Sequence, residues 1–440
     1  MLYGGPISIF RPTLSPQRYV YKNKNMIPMK SIFHFILLLF ILTVWSCDNN
    51  ETPQPRQSID LDCGDHQDVC ELNAATAQFG LSLMQRLHQD EPDENIIISP
   101  VSIATALSMT TNGARNATYE EMMKTMKVDT WPQEKLNAAY QDFLTTVPAI
   151  DPNVALNIAN SIWYKEGYPV KPEFIETNQT FYDSEVRALD FSQPTAKDEI
   201  NNWVDDKTEG LIDKIIEQVP DNIVMYLINA VYFKGAWLKP FDPDMTDDRP
   251  FNLANGSQVT VDMMNHGQTT LPYLATDDFQ AVDLAYGDSV FSMTVILPNE
   301  GVSMDNIING FDDAFWQDRQ WTFDTTEMFF AMPKFKLEYE KTLNDALADL
   351  GMPSAFIGGV ADFRNIADAE LSIDEVKHKT FIEVNEEGTE AAAVTSIGIV
   401  ETSVPQIPYV ILDRPFLLVI RENRLGSVLF VGKVMNPVAE

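Results

Sequence analysis

The chain has 440 residues, 45% of them hydrophobic and 22% charged, a globular composition with apolar material for one large domain or two ordinary ones. Lys and Arg number 31 against 64 Asp and Glu, a formal charge of -33 that repels phosphate backbones and anionic lipid surfaces, which argues against nucleic acid as a partner. The acidity is read first as keeping an exported protein soluble and second as an acidic docking surface.

The N-terminal residues read as an address. Residues 1–28 have no targeting character, and Met26 and Met29 are alternative starts. After Met29 and Lys30 comes the apolar run 32–42, broken at Thr43 and followed by Ser46-Cys47. A basic start, a short apolar core and a small residue before the break describe a secretory signal over 29–46; an uncleaved anchor is the alternative. Val44, Ser46 and Cys47 resemble a bacterial lipobox. That resemblance implies a lipid on Cys47 and an exported outer-membrane lipoprotein, facing the periplasm or the cell surface and touching membrane only through the lipid. Cys63 and Cys70 then remain as an even pair, and a disulfide closing Gly64 to Val69 is the simplest reading. With only His66 between them they fall short of the ligand count of a zinc site, so neither metal nor cofactor is expected. The polar stretch 47–70, with Pro53 and Pro55, reads as a tether.

A first helix is predicted over 72–88, where Leu72, Thr76, Phe79, Leu83 and Leu87 recur every three or four residues. After an acidic turn at 89–94, a short apolar strand at 95–98 leads into a helix with Ser99 as N-cap and Pro100 in its first turn, stopped by Gly113. Another helix is predicted at 118–126. Residues 156–164 and 225–233 are nearly continuously apolar, the pattern of strands covered on both faces and central in a large sheet. Further strands are predicted at 280–284, 291–297, 327–335 and 379–384, and a helix at 342–350. Two apolar strands, 416–420 and 428–434, flank a turn at 422–426. Helices and strands are interspersed without repeats, so residues 71–440 are read as one mixed domain.

Between the strand at 379–384 and Pro405 lies an unpartnered stretch. Every second residue from Thr389 gives Thr389, Ala391, Ala393, Thr395, Ile397 and Ile399, small first, then branched, none charged. The alternate set opens with Glu390 and is more polar, so the stretch has a strand's period of two although Gly388 and the alanines are weak strand formers.

No enzyme motif is present: no G-x-S-x-G elbow, no H-E-x-x-H, no phosphate-binding glycine loop. His378 beside an apolar strand reads as a structural group before it reads as a catalytic base. Instead, an ordered series resembles the serpin family of protease inhibitors: residues 95–109, Asn160-Ser161-Ile162-Trp163, residues 229–237, Met332-Pro333-Lys334-Phe335, residues 381–393, Asp413-Arg414-Pro415-Phe416 and residues 429–437. The resemblance spans roughly residues 71 to 440. It implies an α+β serpin-like single domain: a large mixed central β-sheet, additional sheets, about eight or nine helices and an exposed reactive-centre loop. A monomer is expected, without enzymatic activity, that traps a target endopeptidase in a covalent complex; the alternative is a non-inhibitory binding protein on the same fold. No basic helix resembles a heparin site.

The same resemblance assigns roles by position. Glu386, Gly388, Thr389, Glu390, Ala391, Ala392 and Ala393 match the hinge of a loop that, once cleaved, inserts into the main sheet. Counting fourteen residues on from Gly388 puts the reactive bond at Thr402-Ser403. Val400 and Ile399 upstream suit elastase-like or subtilisin-like serine, or cysteine, endopeptidases, and the absence of a basic residue between Glu386 and Asp413 argues against trypsin-like ones. Ser99, Ser102, Asn229 and His378 resemble the shutter under the sheet. Trp237 resembles the breach where insertion starts, with Lys334 near enough to pair with Glu386. Ladder bonds at about 1 kcal/mol each and burial of Ile397 and Ile399 at about 2 kcal/mol each would make insertion worth on the order of 10 kcal/mol.

Overall fold

The computed structural model describes residues 61–310, 322–389 and 407–439. The signal at 29–46, Cys47, Glu390, Ala391, Ala392, Ala393, Thr402 and Ser403 lie outside the described residues.

Helix α1 (Gln67–Asp90) buries the whole predicted stripe, but it opens before residue 72 because Val69 is already fully buried. The stretch given to a tether therefore ends before Gln67, and residues 67–70 belong to the helix. Cys63 and Cys70 are joined by a disulfide. Strand β1 (Ile96–Ile98) leads into α2 (Pro100–Thr111), whose N-cap Ser99 accepts the Ser102 N–H on its hydroxyl at 3.2 Å. Helices α3 (Asn116–Thr125) and α4 (Gln133–Thr146) follow, then α5 (Pro172–Tyr182) and α6 (Thr195–Lys207). Two short helices, α7 (Met304–Asn309) and α8 (Asn344–Asp349), complete eight among the described residues.

The two long apolar segments are β2 (Val154–Lys165) and β4 (Met225–Ala236), paired antiparallel from Val154↔Gly235 to Tyr164↔Met225, with β3 (Glu185–Leu189) parallel to β2. Their near-continuous hydrophobicity has the expected cause. Trp163, Ile228 and Ala230 pack on one face against Ile200, Trp203 and Ile216, while Leu156, Ile162 and Phe233 join the main core on the other. Behind them stands a nine-stranded sheet, β1-β15-β14-β8-β7-β6-β9-β13 with β5 beside β6. It is built from β5 (Asp247–Asn252), β6 (Gln258–Ala275), β7 (Phe279–Tyr286), β8 (Phe291–Pro298), β9 (Asp324–Pro333), β13 (Tyr409–Ile411), β14 (Phe416–Glu422) and β15 (Val428–Val434). The single strand predicted at 327–335 is two. At Lys334 the chain leaves β9 and enters β10 (Phe335–Thr342), which pairs with β11 (Lys377–Val384) in a separate ribbon.

One edge positions the site. β4 carries β2 on one side; on the other, among the described residues, it is paired only by β12 (Gly388–Thr389), two residues at its upper end. Below them β4 and β11 form no ladder.

Candidate functional site

The upper end of that edge is a tight turn made by residues 385–388. Asn385 Oδ1 accepts the N–H groups of Glu387 at 3.0 Å and Gly388 at 3.2 Å, so the turn is held by its own first side chain. Trp237 grips it from the end of β4: its indole donates to Asn385 O at 3.0 Å and its backbone N–H to Glu387 O at 2.9 Å. The Trp237 ring stacks on Tyr286, centroids 4.3 Å apart, and the buried Tyr286 hydroxyl meets the Thr389 hydroxyl at 2.8 Å. Burial lifts the Tyr286 phenol far above its ordinary pKa, against a smaller opposing effect of the Thr389 bond, so it stays neutral.

Glu386 is nearly buried and has two partners. Lys334 Nζ lies 3.1 Å from Oε2, and the Thr246 hydroxyl donates to Oε1 at 2.7 Å. Burial alone would raise its pKa, but the Thr246 bond, a backbone bond and Lys334 outweigh burial and hold the carboxyl below its ordinary value.

Below the turn, the gap between β4 and β11 is a cleft of about 700 Å³ lined by Ser102, Ile103, Ile228, Asn229, His378 and Lys379, among others. Thr389 also borders a smaller space at its head, with Val231, Phe233 and Ile382. On the α2 side, His378 Nε2 accepts the Ser99 N–H at 3.1 Å, so the proton of the neutral ring sits on Nδ1; complete burial pushes its pKa down to about 3. That geometry takes the ring's acceptor for the backbone and leaves no hydroxyl for it to activate. Across the cleft, the Asn229 amide donates to Asn160 Oδ1 at 2.7 Å, and Asn160 donates to Tyr182 O at 2.8 Å. Asn229 Oδ1 is buried without a partner. The four residues assigned to the shutter thus stand as two hydrogen-bonded groups lining the cleft.

A family model described as serpin (serine protease inhibitor) matches residues 74–437. This chain is a serpin. It is 34% identical to human Serpin B9 over 377 residues, 83% of this chain and 99% of that one, and 32% identical to the leukocyte elastase inhibitor of Sus scrofa over 83% and 100% of the two chains. Among solved structures, the thermophilic serpin tengpin in its native state superposes with a TM-score of 0.76 at 32% identity, over 87% of this chain and 97% of that one.

In this serpin Glu386, Gly388 and Thr389, which the resemblance assigns to the hinge, are brought together with Trp237 and Lys334 at the head of the cleft. Three participants were missing from the sequence reading. Tyr286 lies two residues beyond the strand predicted at 280–284, and Thr246 sits in a turn with no periodic signal. Asn160 lies in the Asn160-Ser161-Ile162-Trp163 series, and its polar pair with Asn229 follows only from the β2–β4 register, which sets the two opposite each other.

Proposed function

We propose that this serpin inhibits elastase-like or subtilisin-like endopeptidases as a suicide substrate, cleaved at Thr402-Ser403, with the freed loop entering the cleft between β4 and β11. The observation that carries this is β12: Gly388 and Thr389 already form the first two rungs of a new strand on the edge of β4. The register extends by simple counting. Gly388↔Ala236 and Thr389↔Gly235 on β4, and the Asn385↔Gly388 bridge beside β11, continue downward to set Thr395 opposite both Asn229 and His378. Thr395 shares the parity of Thr389, so its hydroxyl would enter where Asn229 Oδ1 has no donor and His378 lines the cleft. The inserted strand would then join the two halves of the shutter. The leukocyte elastase inhibitor among the relatives supports a small-pocketed target.

Incubation with a pancreatic-type elastase is expected to give a covalent complex that survives boiling in detergent, with loop cleavage after Thr402. Clean cleavage without a complex would leave only the non-inhibitory binding protein. We further propose that Cys47 carries a lipid holding the serpin at the outer membrane; radiolabelled palmitate should enter the wild type and not Cys47→Ser.

A further inference from the structure

The chain has 18 methionines, and those among the described residues are almost all interior. Met225 is half-buried, and Met245, at 37% exposure, alone of the described ones opens to solvent. It ends the short helical turn Pro243–Met245, where its N–H donates to Asp242 O at 2.9 Å. Two routes lead from it to Glu386. The next residue is Thr246, whose hydroxyl holds the Glu386 carboxylate at 2.7 Å and whose N–H is fixed by the same turn, donating to Pro243 O at 3.2 Å. The Met245 methyl also covers Gly267: a Cβ built on that glycine would lie 3.3 Å from it. Gly267 closes the register shift in β6 that carries His266. The His266 ring stacks on Phe241, centroids 3.8 Å apart and planes 18° apart, and Phe241 donates its N–H to Glu386 O at 2.8 Å. Both the carboxylate and the carbonyl of Glu386 are therefore held by structure on which Met245 rests.

We propose that Met245 is an oxidation site, and that its sulfoxide loosens the hold on Glu386 and with it the head of the cleft. The reagent is a neutral two-electron oxidant of the peroxide class, because the exposed Asp242, Asp244, Asp247 and Asp248 that flank the thioether in sequence disfavour anionic ones. The sulfur lone pair attacks one peroxide oxygen, and the O–O bond breaks as the S–O bond forms. The thioether is oxidised by two electrons, and hydrogen peroxide is reduced to water. A polar, chiral group then stands in place of a soft apolar one. Its oxygen draws the side chain off Gly267 toward water, which uncovers the register shift in β6 and frees the turn that sets Thr246. Buried thioethers are shielded from the same reagent. The stretch from Glu386 to Asp413 contains neither methionine nor cysteine, so oxidation of sulfur cannot reach inhibition through the bait. The effect on inhibition rests on the inhibitory reading above; the modification and its effect on stability do not.

The test is to treat the folded, uncut protein with hydrogen peroxide and map the products by peptide mass spectrometry, alongside Met245→Leu, which keeps the apolar cover but has no sulfur, and Met245→Gln, which is polar without oxidant. Sulfoxide should build up at Met245 about tenfold faster than at Met225 or at any buried methionine. Oxidised wild type should unfold about 2 °C lower than untreated protein, Met245→Leu should not move on treatment, and Met245→Gln should start at the lowered midpoint. The stoichiometry of inhibition of an elastase should rise about twofold in oxidised wild type and in untreated Met245→Gln, and stay at the wild-type value in treated Met245→Leu. Oxidation of Met245 no faster than of Met225 would overturn the proposal. So would an equal fall in midpoint in treated wild type and treated Met245→Leu, or an unmoved midpoint in wild type fully oxidised at Met245. Failure of the untreated wild type to inhibit any elastase or subtilisin removes the inhibitory reading alone, and the midpoints, which need no protease, still decide whether Met245 governs the head of the cleft.

Discussion

Gly388 and His378 show how single residues set what the cleft can do. A Cβ at residue 388 would lie 2.2 Å from Gly235 O and 2.8 Å from the Ala236 Cα, and φ is +147°, so only glycine lets the turn close against β4. His378 acts through its proton. Its folded pKa is about 3, held down by burial, while an unfolded histidine titrates near 6.5. Between those values the unfolded chain binds a proton that the folded chain refuses, so stability falls as the pH drops through the window. His378→Gln offers an amide oxygen to the Ser99 N–H and does not titrate. On going from pH 7 to pH 5 the wild type should lose about 2 kcal/mol more stability than the variant, read from denaturant midpoints. Equal losses would assign the acid sensitivity to carboxylates alone.

At the scale of elements, the strand proposed to enter between β4 and β11 can be written down residue by residue. If Thr395 fills the row between Asn229 and His378, Thr395→Val keeps the shape but leaves the Asn229 oxygen unsatisfied in the inserted state, at a cost of about 1–3 kcal/mol. The variant should show a raised stoichiometry of inhibition with an unchanged rate of initial cleavage; an unchanged stoichiometry would break the register. Much of this was legible in the sequence. The two apolar strands are local periodicities and the Ser99 cap is a local signature, and both survive without coordinates; the alternation from Thr389 lies almost wholly outside the described residues. What stayed hidden depends on side chains reaching across the fold. The strand read as apolar at 428–434 contains Lys433, fully buried, whose ammonium donates to Glu91 O, Pro92 O and His88 Nδ1 and so closes the C-terminal end of α1. Burial lowers the Lys433 pKa to about 8, against the opposing pull of Asp93, Glu91, Asp305 and Glu94. No pattern of hydrophobicity predicts that lysine's partners, because they lie more than 300 residues away. The division of 327–335 into two strands of different sheets was illegible for the same reason: the chain stays extended and apolar from Met328 to Phe335, and the change of sheet partner at Lys334 is made by residues far away in sequence.

For the molecule as a whole, the proposed insertion would make the cut chain more stable than the intact one. β4 and β11 each present backbone groups to a cleft when a strand from the same chain could pair with them. On the proposed mechanism, cleavage would let the loop fill the cleft, add ladder bonds and bury Ile397 and Ile399, a gain on the order of 10 kcal/mol. Cutting the loop with a protease that is not trapped should therefore raise the midpoint of thermal unfolding by tens of degrees, where nicking a protein of fixed topology would lower it. Thr389→Arg separates this from any general effect of cleavage. Thr389 is buried against the Tyr286 hydroxyl, so a guanidinium there would have to enter the core before any later residue of the loop. The variant should still be cut, should gain little thermal stability on cutting, and should behave toward elastase as a substrate. A full stability gain in Thr389→Arg would mean that the loop enters elsewhere than beneath β12.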